Sequence, residues 1–398
     1  MKILSINYEY PPVGGGGGVA CQELNRMLVG KGHTVDVVTS GMRGLPPFER
    51  RYGVGIHRVP CIRSHKHYTT TMELITQVYP AYRKAMDLMR TGTYDLNHTH
   101  FIVPTGLVSY MLWKNTGLPY IITAHGSDVP GYNPDRFGIT HKIIKPFWTT
   151  IVRNSMDITT PSEYLKDLIL KNIDVHVSVI PNGYDMATAP MEYERKMNRI
   201  ILVTRMFERK GVQFFLRAIA GLRTDWEILI AGDGPYLPHL MEEARRWDSP
   251  VEFLGFIQGK ELVDLYRSAK IFVFPSIQEN FPVVLLEAMN AGCAVITTTA
   301  PGCREVVGGA AIQVEPCSVE SLKESLLSLM HDEGAIRIHS GLSLRRAEKF
   351  SWRRVAVMFD AFYKGKMQSM ECPALAAFYQ GKMQLLECPA LASISAHR

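Results

Sequence analysis

The chain opens MKILSINYEYPPVGGGGGVACQELNRMLVGKGHTVDVVTS (residues 1–40). The run MKILSIN is short, apolar and β-branched, and reads as a strand. VACQELNRMLVGKG carries Leu24 and Leu28 on one helical face and stops at Gly30–Gly32. TVDVVTS reads as a second strand. Between the first strand and the helix stand five consecutive glycines, Gly14–Gly18. Glycine is the most costly residue to order. A flexible linker is a poor account of them, because a strand and a helix flank them so closely. A strand–loop–helix–strand unit with bare backbone at the helix N-terminus accounts for them better. Free amides and the helix dipole attract anions there.

Two phosphate loops do not fit. A P-loop requires Lys-Ser or Lys-Thr after its glycines, and neither follows. A dinucleotide fingerprint requires GxGxxG directly after the strand and an acid ending the next strand. Here YEYPPV intervenes and the next strand ends VVTS. What remains is a longer loop whose glycine backbone closes over a ligand.

The same alternation runs on. Strands are expected at YDLNHTH, PYIITAH, MDITTPS and VSVIPN, then in a second series at RIILVTR, WEILIAG, VEFLGF, IFVFPS and AVITTT. Strands alternating with helical patterns imply parallel sheets covered by helices on both faces. The polar, proline-bearing stretch PNGYDMATAPMEYERKMN separates the series and places a junction near residues 183–198. At 398 residues the chain suits two domains rather than one core. The fold class expected is α/β, two doubly wound parallel-sheet domains facing across a cleft, with ligands at strand C-terminal ends. The N-terminal domain is assigned to 1–182, the C-terminal domain to 199–350 and a closing helix to 351–366. Residues 367–398 form a tail, in which AFYKGKMQSMECPALA (361–376) is followed by the near-copy AFYQGKMQLLECPALA (377–392). Two such short copies are too few to stack as a solenoid, and a duplicated, poorly ordered segment is the expected reading.

Composition excludes several classes. No segment holds 18 unbroken apolar residues, and the start lacks a signal-peptide pattern. Seven scattered cysteines without a CxxC pair suit a reduced, cytoplasmic protein. A net charge of +6 is too weak to argue for nucleic acid, and no nucleic-acid motif is present. It is compatible with anionic substrates or the inner face of a membrane.

SIQENFPVVLLEAMNAG (276–292) is the most informative stretch of the second half. Pro282 suits the first position of a helix. Glu279 then lies in the preceding loop, and Glu287 lies about 7–8 Å beyond Pro282. The amides of Phe281, Val283 and Val284 fall between the two acids. Carboxylates accept hydrogen bonds from vicinal hydroxyls, so two of them flanking an anion site suit a ligand with hydroxyls at both ends and phosphates between. A nucleotide sugar has that shape. A capping acid and a solvated glutamate explain the pair equally well when it is taken alone. LVTRMFERKG (202–211) adds Arg205 and Lys210 at a strand end, where cations could neutralise a pyrophosphate. Solvated loop charges are the plainer account. AGDGP and FLGF end neighbouring strands with small residues, as close ligand approach or ordinary turn chemistry would require.

Together these segments resemble the retaining glycosyltransferases of family 4, which have the GT-B fold of two Rossmann-like domains. The resemblance spans about residues 1–364 and also rests on ITAHGSD, IPNGYD, LYRSAKIFVFPS and APGCREVV. It implies that Gly15 and Gly16, with Gly17 beside them, approach the donor phosphates and the acceptor. Arg205 and Lys210 match the family's basic pair on the diphosphate. Glu279 matches the acid that holds the donor sugar's hydroxyls, and Glu287 the acid on the ribose. His125 of AHGSD matches a histidine that contacts the donor sugar; a core role for it stays open. Phe281, Pro282 and Val283 stand in the donor-binding loop. The chain departs from the family where Thr204–Arg205 replaces Gly-Arg and where Glu279–Asn280–Phe281–Pro282 replaces Glu-Gly-Phe-Gly. Pro282 removes one amide donor.

The implied reaction is glycosyl transfer from a UDP- or GDP-sugar to a hydroxyl of a glycan, lipid-linked or small-molecule acceptor. No cofactor is expected beyond the nucleotide-sugar substrate. No metal is expected, because Arg205, Lys210 and helix amides would stabilise the leaving diphosphate. His98 and His100 share one strand face without a third ligand and read as structural. The acceptor is expected on the first domain. RYGVGIHRVPCIRSHKHYTTT (51–71) and HKIIKPFWTTIVRN (141–154) fit a phosphorylated or lipid-linked acceptor and peripheral membrane contact. They fit a solvated basic loop and an ordinary amphipathic helix as well. A same-fold epimerase or phosphorylase and a non-catalytic nucleotide-sugar-binding module are the alternative readings. A nicotinamide-dependent oxidoreductase is more remote, since strand two lacks the acid.

Overall fold

The computed structural model describes residues 1–65, 70–132, 134–186 and 189–371. The chain divides into two units. The first comprises Met1–Pro161, Leu165–Ile180 and the chain from Val355 on; the second comprises Ser162–Tyr164 and Pro181–Arg354.

The first unit holds eight strands: β1 (Lys2–Ile6), β2 (Thr34–Ser40), β3 (Phe48–Arg51), β4 (Val54–Val59), β5 (Leu96–His100), β6 (Tyr120–Thr123), β7 (Asp157–Thr160) and β8 (Val177–Val179). Their order is β3-β4-β2-β1-β5-β6-β7-β8, and only the β3–β4 pairing is antiparallel. The second unit holds β9 (Met197–Val203), β10 (Glu227–Ala231), β11 (Glu252–Gly255), β12 (Ala269–Phe274), β13 (Ala294–Thr298) and β14 (Ile312–Val314). Its order is β11-β10-β9-β12-β13-β14, parallel throughout. Each sheet therefore grows outward in both directions from its first strand. The reversal falls between β1 and β5 in one unit and between β9 and β12 in the other. Open α/β sheets bind ligands beyond the strand C-termini at such a reversal.

Apolar residues on both faces of the strands explain the doubly wound arrangement. In β9, Ile201 packs with Phe272, Leu285 and Val295 on one face, while Ile200 and Leu202 pack with Ile228, Ile271 and Leu322 on the other. Successive side chains alternate across the strand, so one apolar run feeds two cores.

Three details differ from the sequence reading. The stretch 51–71 was read as a basic segment, for an acceptor or as a solvated loop, and no strand was expected in it; Val54–Val59 is a wholly buried strand, with β3 as its antiparallel edge neighbour. A Cβ on Gly55 would fall 2.3 Å from Asp36 Oδ1, so any side chain there would have to displace that carboxylate. The proposed junction at 183–198 begins inside the second unit. A Cβ on Gly183 would lie 2.6 Å from Trp352 Cδ2, and Tyr184 N–H donates to Phe350 O at 2.9 Å. These contacts fold the PNGYD segment onto that unit. The closing helix spans Trp352–Glu371, past the expected end at 366. Lys366, Met367 and Gln368 are good helix formers, and Ser369 Oγ bonds Gly365 O at 2.8 Å. Most of the repeated tail, from 372 on, lies outside the described residues. The helix is held to the first unit by Tyr363, by Asp360 on His33 at 3.0 Å and by Lys366 on Asp157.

Candidate active site

In the second unit, the segment after β9 carries Arg205 and Lys210. Backbone contact clamps it on both sides. Gly232 has φ +136, and a Cβ there would sit 1.7 Å from Thr204 O. Gly211 has φ +70, and a Cβ there would sit 2.0 Å from Pro275 O. Gly232 is thus explained by its neighbour's carbonyl rather than by close ligand approach. Ile277 N–H donates to Arg209 O at 2.9 Å, which joins this segment to the end of β12.

That joint brings Lys210 to Glu279, 69 residues away in sequence. The two form a buried ion pair, and Ser276 Oγ donates to Glu279 Oε1 at 2.7 Å. Sequence reading placed Lys210 on a diphosphate and Glu279 on a sugar as separate contacts; here each fixes the other. A buried pair loses much when one partner goes, because the survivor is left uncompensated. Arg205 is exposed and, among the described residues, makes no ion pair; its guanidinium lies 5.7 Å from the Phe207 ring centre.

Pro282 is not the first helical residue. Its ψ of 101 is extended, and it caps the helix Val283–Asn290, whose first turn has no side-chain cap. Among the described residues the amides of Val283 and Val284 have no acceptor. Gly302 presses this loop from behind, since a Cβ there would lie 2.3 Å from Asn280 O. Phe281 packs edge-on against Phe350 at 5.8 Å. Glu287 follows on the helix, and its Oε2 accepts from Tyr266 O–H at 2.7 Å. Burial raises its carboxyl pKa, and the tyrosine bond pulls it back in part.

In the first unit, the glycine turn wraps Glu9. Gly15 N–H donates to Glu9 Oε2 at 3.0 Å. A Cβ on Gly14 would lie 2.5 Å from Glu9 Cβ, and one on Gly17 would lie 2.6 Å from Phe101 Cζ. Packing therefore explains Gly14 and Gly17. Gly15 would meet only Glu9 Oε2 at 3.6 Å, and Gly16 would meet nothing within 4 Å. Gly16 opens the helix Gly16–Gly30, and the absence of a side chain there has no explanation in packing.

His125 follows β6 and adjoins this turn: the Gly17 Cβ position lies 3.5 Å from its Cγ. Asp128 holds its backbone. One carboxylate oxygen accepts from His125 N–H at 3.1 Å and Gly126 N–H at 2.9 Å, and the other from Ile102 N–H at 2.7 Å. Burial pushes the His125 pKa down to about 4, so the ring is neutral.

Two family models match the chain, the one described as Glycosyltransferase Family 4 over residues 14–188 and the one described as Glycosyl transferases group 1 over 197–332. The chain belongs to the family 4 glycosyltransferases. An uncharacterized glycosyltransferase of Methanocaldococcus jannaschii is 29% identical over 395 residues, which cover 93% of this chain and 100% of that one. Sucrose-phosphate synthase from Thermosynechococcus elongatus shares the fold with a TM-score of 0.78 at 20% identity, covering 93% and 100% of the two chains. HepE of Anabaena, solved in complex with UDP-glucose, does so with a TM-score of 0.72 at 16% identity, covering 92% and 100%. The architecture is GT-B.

Within this glycosyltransferase the sequence-derived residues fall into two groups. Gly15, Gly16, Gly17 and His125 gather in the first unit, where β1, β5 and β6 end. Arg205, Lys210, Glu279, Phe281, Pro282, Val283 and Glu287 gather in the second, where β9 and β12 end. Sequence reasoning missed Glu9, Asp128, Tyr266 and Ser276, which hold the others in place. Asp128 lies within the AHGSD motif and could have been found as a turn-capping acid. Tyr266 carried no local signal. Among the described residues no group of three or more His, Cys, Asp or Glu side chains could hold a metal, and no helix is long and apolar enough to cross a membrane.

Proposed function

We propose that this glycosyltransferase moves a sugar from a nucleoside diphosphate sugar to an acceptor hydroxyl with retention of anomeric configuration. The observation that carries the reading is the cluster at the β9–β12 reversal. An exposed Arg205, a locked Lys210–Glu279 pair and a half-buried Glu287 carboxylate stand on the segments that follow these two strands, together with an uncapped helix start. Glu287 would accept hydrogen bonds from the ribose hydroxyls. Arg205, Lys210 and the Val283 and Val284 amides would take the diphosphate. Glu279, held by Lys210 and Ser276, would meet the sugar's hydroxyls. The glycosyltransferase in complex with UDP-glucose noted above has the same fold, which supports a nucleotide-sugar donor.

In the proposed step, the bond from the anomeric carbon to the phosphate oxygen breaks. A bond to the acceptor oxygen forms on the same face, and the acceptor's proton passes to the departing phosphate. Arg205 and Lys210 would stabilise the charge that grows on the diphosphate, a preorganised electrostatic role that requires no metal. We assign the acceptor to the first unit. Exposed Ile143 and Phe147, with Lys145 between them on one helix, suit a lipid-linked acceptor.

The test is transfer from UDP-, GDP- and ADP-sugars to glycan and lipid-linked acceptors in EDTA, with the product's anomeric configuration read by NMR. EDTA-resistant transfer with the donor's configuration kept is expected. An inverted product, or activity abolished by EDTA and restored by a divalent cation, contradicts the reading.

A further inference from the structure

In the first unit, the helix Thr71–Thr76 leads through Gln77, itself in helical conformation, into the helix Val78–Thr91. The inner face of the second helix is satisfied. Ala81 and Ala85 are buried, and Val78, Tyr82 and Met86 pack on the same core, which includes Leu4 and Val38 of the sheet. The outer face of such a helix is ordinarily polar. Here it carries Met72, Ile75 and Tyr79 at helical spacing. Ile62 joins their end of the helix, since its N–H donates to Thr76 Oγ1 at 3.1 Å. All four side chains are exposed, by 60–73%. Exposed apolar residues scattered singly need no account, but four gathered in one place do.

The border of this patch is basic. Arg83 continues the face, and its Nη1–H donates to Tyr79 Oη at 3.2 Å, with Lys84 next in the chain. Arg63 follows Ile62, and the chain carries no acid between Glu49 and Glu73. The acids nearest in sequence are engaged. Glu73 accepts from the amides of Ser64 and Thr70 at 2.7 and 2.8 Å, and Asp87 pairs with Arg90 at 3.4 Å.

Sheet order fixes where the patch stands. The connections β4–β5, β5–β6 and β6–β7 all run the same way along the sheet. Right-handed crossovers put their helices on one face, and Thr105–Thr116 packs between Val78–Thr91 and Pro134–Asn154. The exposed Ile143, Lys145 and Phe147 of the last helix therefore share a face of the sheet with Met72, Ile75 and Tyr79. Helices in such crossovers start at the C-terminal edge of the strands, so Met72–Tyr79 lies near that edge.

We propose that this face of the first unit docks on an anionic lipid bilayer, with Ile62, Met72, Ile75 and Tyr79 entering the interface and Arg63 and Arg83 at the headgroups. Protruding apolar side chains enter lipid without a matching pocket. A second copy laid on the same patch would bring two basic borders together, which charge disfavours. The docking stands on this face alone; its use, to meet a lipid-linked acceptor, rests on the glycosyl-transfer reading above. Sequence reading singled out 51–71 and 141–154 for membrane contact and passed over Met72, Ile75 and Tyr79.

The experiment is co-sedimentation of the full chain, without donor or acceptor, with vesicles of phosphatidylcholine alone and of phosphatidylcholine mixed equally with phosphatidylglycerol. The wild type is expected to sediment with the mixed vesicles, to be released from them by salt and to stay in solution with the neutral ones. Met72→Gln/Ile75→Gln should bind the mixed vesicles at least about tenfold more weakly. Both positions are exposed and glutamine is a good helix former, so its melting temperature should match the wild type. Arg83→Gln should weaken binding roughly fivefold, the worth of one basic residue at such a surface. A wild type that ignores the mixed vesicles, or binds neutral ones equally, overturns the proposal. So does a Met72→Gln/Ile75→Gln protein that binds like the wild type. A wild-type dimer that this double variant loses, with no vesicle binding, overturns it in favour of a second copy. Vesicle binding is read without substrate, so an absence of transfer from any nucleotide sugar would count against the reaction instead.

Discussion

Lys210→Ala is expected to lower the melting temperature by about 10 °C and to reduce transfer at least about 100-fold. The stability loss follows from burial. Lys210 and Glu279 are both buried, and alanine leaves the carboxylate with Ser276 Oγ as its remaining bond. Breaking a buried pair by removing one partner costs about 3–5 kcal/mol, and each kcal/mol shifts a unit of this size by about 2–4 °C. The activity loss has a separate origin, the missing charge that the proposed reaction places beside the diphosphate, which is worth about 100- to 1,000-fold when one preorganised stabilising group is removed. The double variant Lys210→Met/Glu279→Gln separates the two effects. It buries no uncompensated charge and should recover most of the melting temperature, while transfer stays low. Recovery of both would make the pair a structural fixture and remove Lys210 and Glu279 from the chemistry.

Gly16→Val should do the reverse, with folding kept and transfer lost. The Cβ position of Gly16 meets nothing within 4 Å, and valine is a better helix former than glycine. The melting temperature should move by no more than a few degrees. Transfer should fall roughly 10- to 100-fold if, as the family resemblance implies, a substrate approaches the turn where the isopropyl group would stand. Gly17→Val is the contrasting variant. Its side chain would meet Phe101 Cζ at 2.6 Å, so stability and activity should fall together. Equal losses of stability and transfer in Gly16→Val would return the glycine turn to a purely structural role.

The parts of this enzyme legible in its sequence are those written in local periodicity. Runs such as RIILVTR and IFVFPS are apolar on both faces, and only a sheet covered on both sides accommodates them. The glycine turn, the basic segment after β9 and the acids around Pro282 could be picked out by residue type. Their pairings could not. Lys210 reaches Glu279 only because Gly211 lets one turn lie against Pro275, a contact between strands that are neighbours in space and distant in sequence. Tyr266 finds Glu287 in the same way. β4 was hidden because Gly55, His57 and Arg58 do not resemble a buried strand. Arg58 is held by Glu49 of β3 and by the carbonyls of Pro11 and Pro46, partners that no window of sequence reveals. The proline-bearing stretch after β8 looked like a linker because nothing local signals that Trp352 will cover Gly183.

The central claim is that the second unit binds a nucleoside diphosphate sugar through Glu287. Burial raises the pKa of that carboxyl above its ordinary value of 4.5. Its contribution to stability is therefore fullest below that value and is lost as pH rises through the folded-state pKa. Glutamine never ionises and can still accept from Tyr266, so Glu287→Gln should be at least as stable as the wild type at neutral pH. The deciding measurement is calorimetric titration of UDP-, GDP- and ADP-sugars into both proteins in EDTA, with melting curves alongside. The account predicts that one donor binds the wild type and binds Glu287→Gln roughly 10- to 100-fold more weakly, the value of a hydrogen bond to a charged group, with no loss of melting temperature. Equal affinity in the two proteins, or no binding of any nucleotide sugar to the wild type, would contradict it.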